Sequence, residues 1–257
     1  MWGYEILFGR NFPLIEPKDQ ERMKSLKVAI VGLGALSFVA EYLARLGVEK
    51  FVLIDGDKVE AQNINHQHYT LSDVGKNKAQ ALSEYLSEIN PETKAIALPT
   101  FLQEQNFDEI WNRYLYNADV IVDGIDPVPG ILVSKKLAQK CKEQNIIYLY
   151  PLDLGNGALL FANAERLEML LEGKEPLEIL FSMLSKLPHF NLNFPAKIYE
   201  IIEKVAKGEL KYYPQTIIAA VTASLLTVAV ILRIIECKKP PFLVYCDPTE
   251  GSFQWIE

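Results

Sequence analysis

The sequence predicts an α/β fold: a mainly parallel twisted sheet with helices on both faces and a helical insertion. Three observations predict it. Short apolar runs alternate with stretches of helical period through residues 27–149. A glycine turn, Gly32-Leu33-Gly34, joins the first run to its helix, and a carboxylate, Asp55, closes the second run. A strand, a glycine turn, a helix and a second strand in that order require a parallel pair, because such strands connect only through a crossover. The expected architecture is therefore Rossmann-like.

Residues 1–26 read as an N-terminal arm and helix, with Pro17 near the helix start and Asp19-Gln20-Glu21-Arg22 in its first turns. Residues 27–257 read as one α/β domain. Its first strand is Lys27–Val31. Leu36, Val39, Ala40, Leu43 and Leu46 then recur at helical spacing, and Gly47 closes that helix. Phe51–Ile54 is the second strand. A helix over Lys76–Ile89 is stopped by Asn90-Pro91. A strand at Lys94–Leu98, a helix at Asp108–Leu115 and a strand at Val120–Val122 follow. The last of these runs into Asp123-Gly124-Ile125-Asp126. A helix over Leu132–Gln144 and a strand at Ile146–Leu149 complete the regular alternation. Residues 163–213 are helix-rich and broken by Pro176, Pro188 and Pro195, and read as an insertion capping the active-site face. A long apolar helix over 216–235 and a strand near Phe242–Cys246 end the chain.

Composition narrows the function classes. The 257 residues are 49% hydrophobic, enough for a full core, and the net charge is −7. An acidic chain repels phosphate backbones, so no nucleic acid partner is expected. Cys141, Cys237 and Cys246 form no C-x-x-C pair, so no zinc and no disulfide framework are expected. Glu5 and Arg10 interrupt any leader-like pattern, which sets a cytoplasmic expectation. Residues 216–232 carry no charge. They fall short of the roughly 20 residues that a span needs and include Thr216, Thr222, Ser224 and Thr227, so a core or dimer-interface helix is expected and no membrane contact.

The chemistry-bearing residues cluster after strand ends. Gly32-x-Gly34-x-x-Ser37 lets the backbone approach a phosphate or ribose, and the following helix offers free N–H groups. Asp55, 21 residues after Gly34, can accept from ribose hydroxyls. These two features suit NAD, FAD and ATP alike. The polar run Asp57-Lys58-Val59-Glu60-Ala61-Gln62-Asn63-Ile64-Asn65-His66-Gln67 does not belong to a simple dinucleotide-binding turn.

From Val31 to Gln67 the chain reads VGLGALSFVAEYLARLGVEKFVLIDGDKVEAQNINHQ, and this stretch resembles the ThiF/MoeB/HesA family of ubiquitin-activating-like adenylyltransferases. The resemblance extends over roughly residues 7–160. It implies that Gly32, Gly34, Ala35, Asp55, Asp57, Asn63, His66, Gln67 and Lys78 bind the nucleotide. It further implies that Lys78 contacts phosphate, that Asp126 holds Mg²⁺, and that Arg10 reaches the site of the other subunit in a homodimer. The implied activity is ATP- and Mg²⁺-dependent adenylylation of a carboxylate: the C-terminus of a ubiquitin-like carrier or peptide, or a small-molecule acid, then passed to sulfur or nitrogen.

Three positions depart from the pattern. His66 stands where the family has arginine, so a forked cation gives way to a ring only partly charged at pH 7. Ser37 replaces the third glycine, and Pro127 stands where relatives place asparagine. His66 and His68 have a spacing that could serve a metal if both lay on one strand face. Two other readings stay open: a nucleotide-binding scaffold with weakened catalysis, and an NAD(P)- or FAD-dependent oxidoreductase.

Overall fold

A computed structural model describes residues 2–164, 167, 171–187, 196–210 and 213–257. Eight strands form one sheet in the order β3-β2-β1-β4-β5-β6-β7-β8. Strands β1 (Lys27–Val31), β2 (Lys50–Ile54), β3 (Lys94–Leu98), β4 (Val120–Asp123) and β5 (Ile147–Leu154) pair in parallel. Strands β6 (Gly157–Phe161), β7 (Leu243–Asp247) and β8 (Ser252–Ile256) extend the sheet antiparallel. The predicted α/β class and its parallel core are both present.

Why β1 is apolar throughout follows from the layers. Val28 and Ile30 join one buried cluster, while Ala29 and Val31 join the cluster on the opposite face. A strand covered on both sides has no polar face to alternate. The first face carries α3 (Ser37–Arg45), α4 (Lys78–Ile89) and α9 (Ile217–Ile235). The second carries α5 (Phe107–Ile110), α6 (Pro127–Gln144), α7 (Pro176–Lys186) and α8 (Ala196–Ala206). Before β1 lie α1 (Tyr4–Phe8) and α2 (Pro17–Ser25).

Helix α9 passes the length and apolarity test for a membrane span, with mean hydropathy 2.4 over 19 residues. It lies against β6, β5 and α3. Ala219, Ala220, Ala223 and Ser224 are buried on its inner face and let the helix approach the sheet closely, while Ile217, Ile218 and Leu225 are exposed. One face is core, as the sequence reading required.

Four boundaries differ from expectation. Strand β5 runs on to Leu154 through Pro151, which pairs opposite Leu160. A proline inside a run reads as a stop, so the extension was hidden. Strand β6 was not foreseen: its sequence, GALLF, has little β character. Its Gly157 is nevertheless required, since a Cβ there would lie 2.6 Å from the Cys246 carbonyl oxygen. Strand β8, beyond a tight turn at Gly251, was also missed. Finally, α5 continues as a π-turn at Trp111–Leu115, and α6 starts at Pro127 with non-helical torsions at Val128. Of the predicted insertion 163–213, Pro188, Pro195, His189, Asn191 and Asn193 lie outside the described residues. Its described helices α7 and α8 bury Ile179, Met183, Ile198 and Ile202 in the second cluster.

Candidate functional site

The parallel strands β1, β2, β4 and β5 all end at one edge, and a crevice of about 610 Å³ opens there. This is the place where open α/β sheets bind ligands. Gly32 and Gly34 supply its floor. Gly32 has φ +85°, and a Cβ would stand 2.3 Å from the Gly124 carbonyl oxygen. Only glycine permits the turns after β1 and β4 to touch here. A Cβ on Gly34 would meet the Gln67 side chain at 3.4 Å. Ala35 and Leu36 continue the wall.

Ser37 has a structural task that replaces the third glycine. Its hydroxyl donates to the Gly34 carbonyl at 2.7 Å and accepts from the His68 amide at 3.0 Å. It thereby ties the glycine turn to the polar loop after β2. Tyr69 reinforces the tie, donating from its buried hydroxyl to the carbonyls of Leu33 (3.0 Å) and Lys78 (3.3 Å).

Asp55 is buried at the end of β2. Its Oδ2 accepts from the Leu33 amide at 2.7 Å and its Oδ1 from the Asp57 amide at 2.8 Å. Burial raises its pKa above the ordinary carboxylate value, against the pull of Lys78 and the two amides. Each oxygen retains a lone pair for a ribose hydroxyl. Lys78 opens α4. Asn77 caps that helix by accepting from the amides of Ala79 and Gln80, and its Nδ2 donates to the carbonyls of Asp55 and Asp57, both at 2.9 Å. This fixes the buried Lys78 stem, and its Nζ sits 3.2 Å from Asp57 Oδ2. Asp57 is half in solvent, so the pair is weak and a phosphate can displace it at little cost.

Asp126 caps α6 by position but makes no capping bond with its side chain. The residue is exposed and lines the crevice. Partial desolvation there, then the charge of Asp153, raises its pKa, and Lys78 offsets them in part. The turn beneath it is set by Asp123, fully buried, which accepts from the Ile125 amide at 2.9 Å and the Tyr148 hydroxyl at 2.6 Å. Burial pushes the Asp123 carboxyl up to about 6.

A second cavity of about 550 Å³ adjoins the first. The two share Asp57, Gln67, Lys78, Asp126 and Gln215. Asn63 and His66 line this second space. Asn63 Oδ1 accepts from the Glu60 amide at 2.8 Å and so shapes the loop. His68 faces elsewhere: its Nδ1 lies 2.9 Å from Glu41 on α3, and its ring lies 4.1 Å from Tyr85 on α4. The two histidines therefore do not converge, and among the described residues no three His, Cys, Asp or Glu side chains form a metal cage.

Every predicted site residue but one thus meets at this edge. Arg10 is exposed in the N-terminal arm and lines neither cavity of its own chain. Sequence reasoning missed Asp153 and Gln215, whose Nε2 donates to Asp153 Oδ2 at 2.8 Å. A carboxylate at the end of a parallel strand is the signal that would have found Asp153, had β5 been read to its true end. It also missed the loop Phe101–Gln105, whose Phe101 ring packs against Gly56 and forms an apolar wall.

Comparison with known proteins agrees with this fold. The family model described as "ThiF family" matches residues 8–254. A tRNA threonylcarbamoyladenosine dehydratase of Bacillus subtilis is 35% identical over 141 residues, 54% of this chain and 53% of that protein. A sulfur carrier protein adenylyltransferase of Thermus thermophilus is 36% identical over 119 residues, 46% of this chain and 42% of that protein. The chain spans about half the length of the curated relatives it matches. Among solved structures, E. coli MccB with MccA-N7isoASN superposes with a TM-score of 0.72 at 20% identity, over 99% of this chain and 72% of that one. E. coli TcdA gives 0.66 at 19% identity, over 91% and 95%.

Proposed function

This chain belongs to the ThiF family, and from that premise we propose that it adenylylates a carboxylate with ATP and Mg²⁺. The observation that carries this reading is the convergence of a glycine floor, Asp55, Lys78 and Asp126 on one crevice from three separate loops. In the reaction the substrate carboxylate attacks the α-phosphate and pyrophosphate departs, so no protein nucleophile is needed. The protein must hold the triphosphate in line and offset its charge.

The residues suit those tasks. The turn Gly32–Ala35 admits phosphate oxygens to the backbone N–H groups at the start of α3. Asp55 orients the ribose, and Phe101 with Leu102 offers an apolar wall to the base. Lys78 exchanges Asp57 for phosphate. The donor set also fits Mg²⁺: Asp126 is a hard oxygen ligand with no hydrogen-bonding partner of its own among the described residues, and this ion needs one or two carboxylates when phosphate and water complete its shell. When bound, the ion offsets charge on the phosphate oxygens.

The substrate is a carrier C-terminus, a peptide or a small-molecule acid, entering through the cavity lined by Asn63, His66 and Tyr213. Segment 163–213 helps select it. The net charge of −7 disfavours a polynucleotide. The direct test is pyrophosphate–ATP exchange with candidate carboxylates, together with calorimetry of ATP against NAD. Exchange dependent on carboxylate and a Kd for ATP at least tenfold below that for NAD are expected; preferential NAD binding would overturn the reading.

A homodimer completes the site, with Arg10 of one subunit reaching the crevice of the other. Arg10→Ala and Lys78→Ala, each nearly inactive alone, should regain about a quarter of wild-type turnover when co-refolded. Mixed dimers then hold one intact site. No recovery in a confirmed mixed dimer would refute the shared arginine.

A further inference from the structure

Near its end strand β5 carries Asp153, a partly buried carboxylate on the crevice wall. Its Oδ2 accepts from Gln215 Nε2 at 2.8 Å. Gln215 is itself anchored: its backbone carbonyl accepts from Asn65 Nδ2 at 3.1 Å, and the next residue, Thr216, caps α9. A neutral amide therefore holds the carboxylate in one orientation. No lysine or arginine among the described residues pairs with it. The one charged group that favours its ionised form is His66, whose own pKa burial keeps below the ordinary value. A carboxylate taken out of water without a cation is costly, and such groups concentrate where chemistry uses them.

Gln215 lines both cavities, so Asp153 stands where the nucleotide crevice meets the substrate entrance. The titratable groups coupled to it are Asp126 at the end of β4, His66 in the loop after β2, and Tyr213 ahead of α9. Burial holds Asp153 above the ordinary carboxylate pKa, which makes it a stronger proton acceptor. None of the three cysteines lines either cavity. Among the described residues the acyl group thus has no thiol on which to pause, and its acceptor comes from outside. Asp126 is committed to the metal, so Asp153 is left as a free negative charge on this wall. A thiolate is repelled by that charge. An amine arrives as an ammonium, is attracted, and must give up a proton before it can attack.

We propose that the adenylylated carboxylate passes directly to a nitrogen nucleophile, with Asp153 as the base that receives the amine's proton. The ammonium gives one proton to Asp153, which returns it to water. The freed nitrogen lone pair attacks the acyl carbon. A C–N bond forms, and the bond from that carbon to the AMP oxygen breaks, its electron pair leaving with AMP. The nitrogen sheds a second proton to water as the amide forms. Nothing is oxidised or reduced. This inference rests on the adenylylation reading above and deepens it, because it selects nitrogen over sulfur as the acceptor.

The test supplies Mg-ATP, a carboxylate that supports pyrophosphate exchange, and equal amounts of glycinamide and N-acetylcysteamine as probe acceptors. Amide and thioester products are counted by mass spectrometry, on the enzyme and for adenylate released into solution. The enzyme should raise the amide-to-thioester ratio at least about tenfold over solution. Asp153→Asn should fold normally, since asparagine still offers Gln215 an acceptor. It should lower amide formation by about 10²-fold, a loss at least about tenfold greater than its effect on pyrophosphate exchange. Hydroxylamine, which arrives unprotonated at neutral pH, should react with a much smaller loss. A product ratio equal to that in solution would overturn the choice of nitrogen. Amide formation unchanged in Asp153→Asn, or exchange and amide formation lost equally, would overturn the role of Asp153. All three results leave adenylylation standing. Absence of exchange with every candidate carboxylate would overturn the adenylylation reading and this proposal together.

Discussion

Replacing Asp126 with alanine should lower adenylylation turnover by on the order of 10³-fold, while leaving the melting temperature within a few degrees of wild type. The activity loss follows from the charge that one carboxylate-held ion offsets on the phosphates, a contribution of order 4 kcal/mol where reacting groups are preorganised. The preserved fold follows from what Asp126 does not do. Its side chain caps nothing on α6 and stands open to the crevice. Its pKa is raised by desolvation and by Asp153. The charged form is thus disfavoured in the folded state, so removing it costs no stability at neutral pH. The difference fades as the pH falls below the ordinary carboxylate value, where the carboxyl is neutral in the folded and unfolded chain alike. Asp126→Asn, which keeps the shape and removes the charge, should be nearly as inactive. Measured kcat close to wild type in either variant would refute the role given to this residue.

The second large effect is on stability. Gly32→Ala should destabilise the protein by about 2–4 kcal/mol, from the left-handed torsion and the forced contact together. For a chain of this size that corresponds to a fall of roughly 5–15 °C in melting temperature. The decisive detail is the identity of the atom that a Cβ would strike. It is the Gly124 backbone carbonyl oxygen at 2.3 Å, with its carbon at 2.5 Å. Backbone in a turn between β4 and α6 cannot rotate away as a side chain can. The turn that carries Asp126 would be displaced with it, so ATP affinity falls as well. Gly34→Ala provides the contrast. Its Cβ would meet only the end of the Gln67 side chain at 3.4 Å. Stability should change by less than about 1 kcal/mol, yet affinity should drop because the methyl group intrudes on the crevice. Equal melting temperatures for the Gly32 and Gly34 variants would refute this account.

The candidate site was more legible than the sheet's distal half, for a physical reason. Lys78 is placed by local chemistry: Asn77 caps the helix beginning at that residue, and its Nδ2 ties the cap to the carbonyls after β2. Such short-range requirements leave a mark in the order of residue types. Asp153 left none. It becomes a site residue because β5 continues through Pro151, and that continuation exists because β6 pairs with it from beyond. The direction of the His68 ring was illegible for a related reason. Sequence spacing set it beside His66, whereas Glu41 and Tyr85, on two different helices, draw it to the other side of the loop.

What the sequence by itself determined is the parallel core and those residues at its carboxyl edge that follow β1, β2 and β4 directly, from Gly32 to Asp126. Apolar runs buried on both faces, glycine turns and helix caps are local or periodic requirements, satisfied within a few residues of chain. Tertiary structure alone decided strands β6 and β8, the antiparallel pairing of β6–β8, and the entry of Asp153 and Gln215 into the site. Each of these depends on partners distant in sequence, such as the Gln215 amide that donates to Asp153. Hydrogen bonds and strand pairs of that kind form only when the fold brings their two halves together, so no local pattern encodes them.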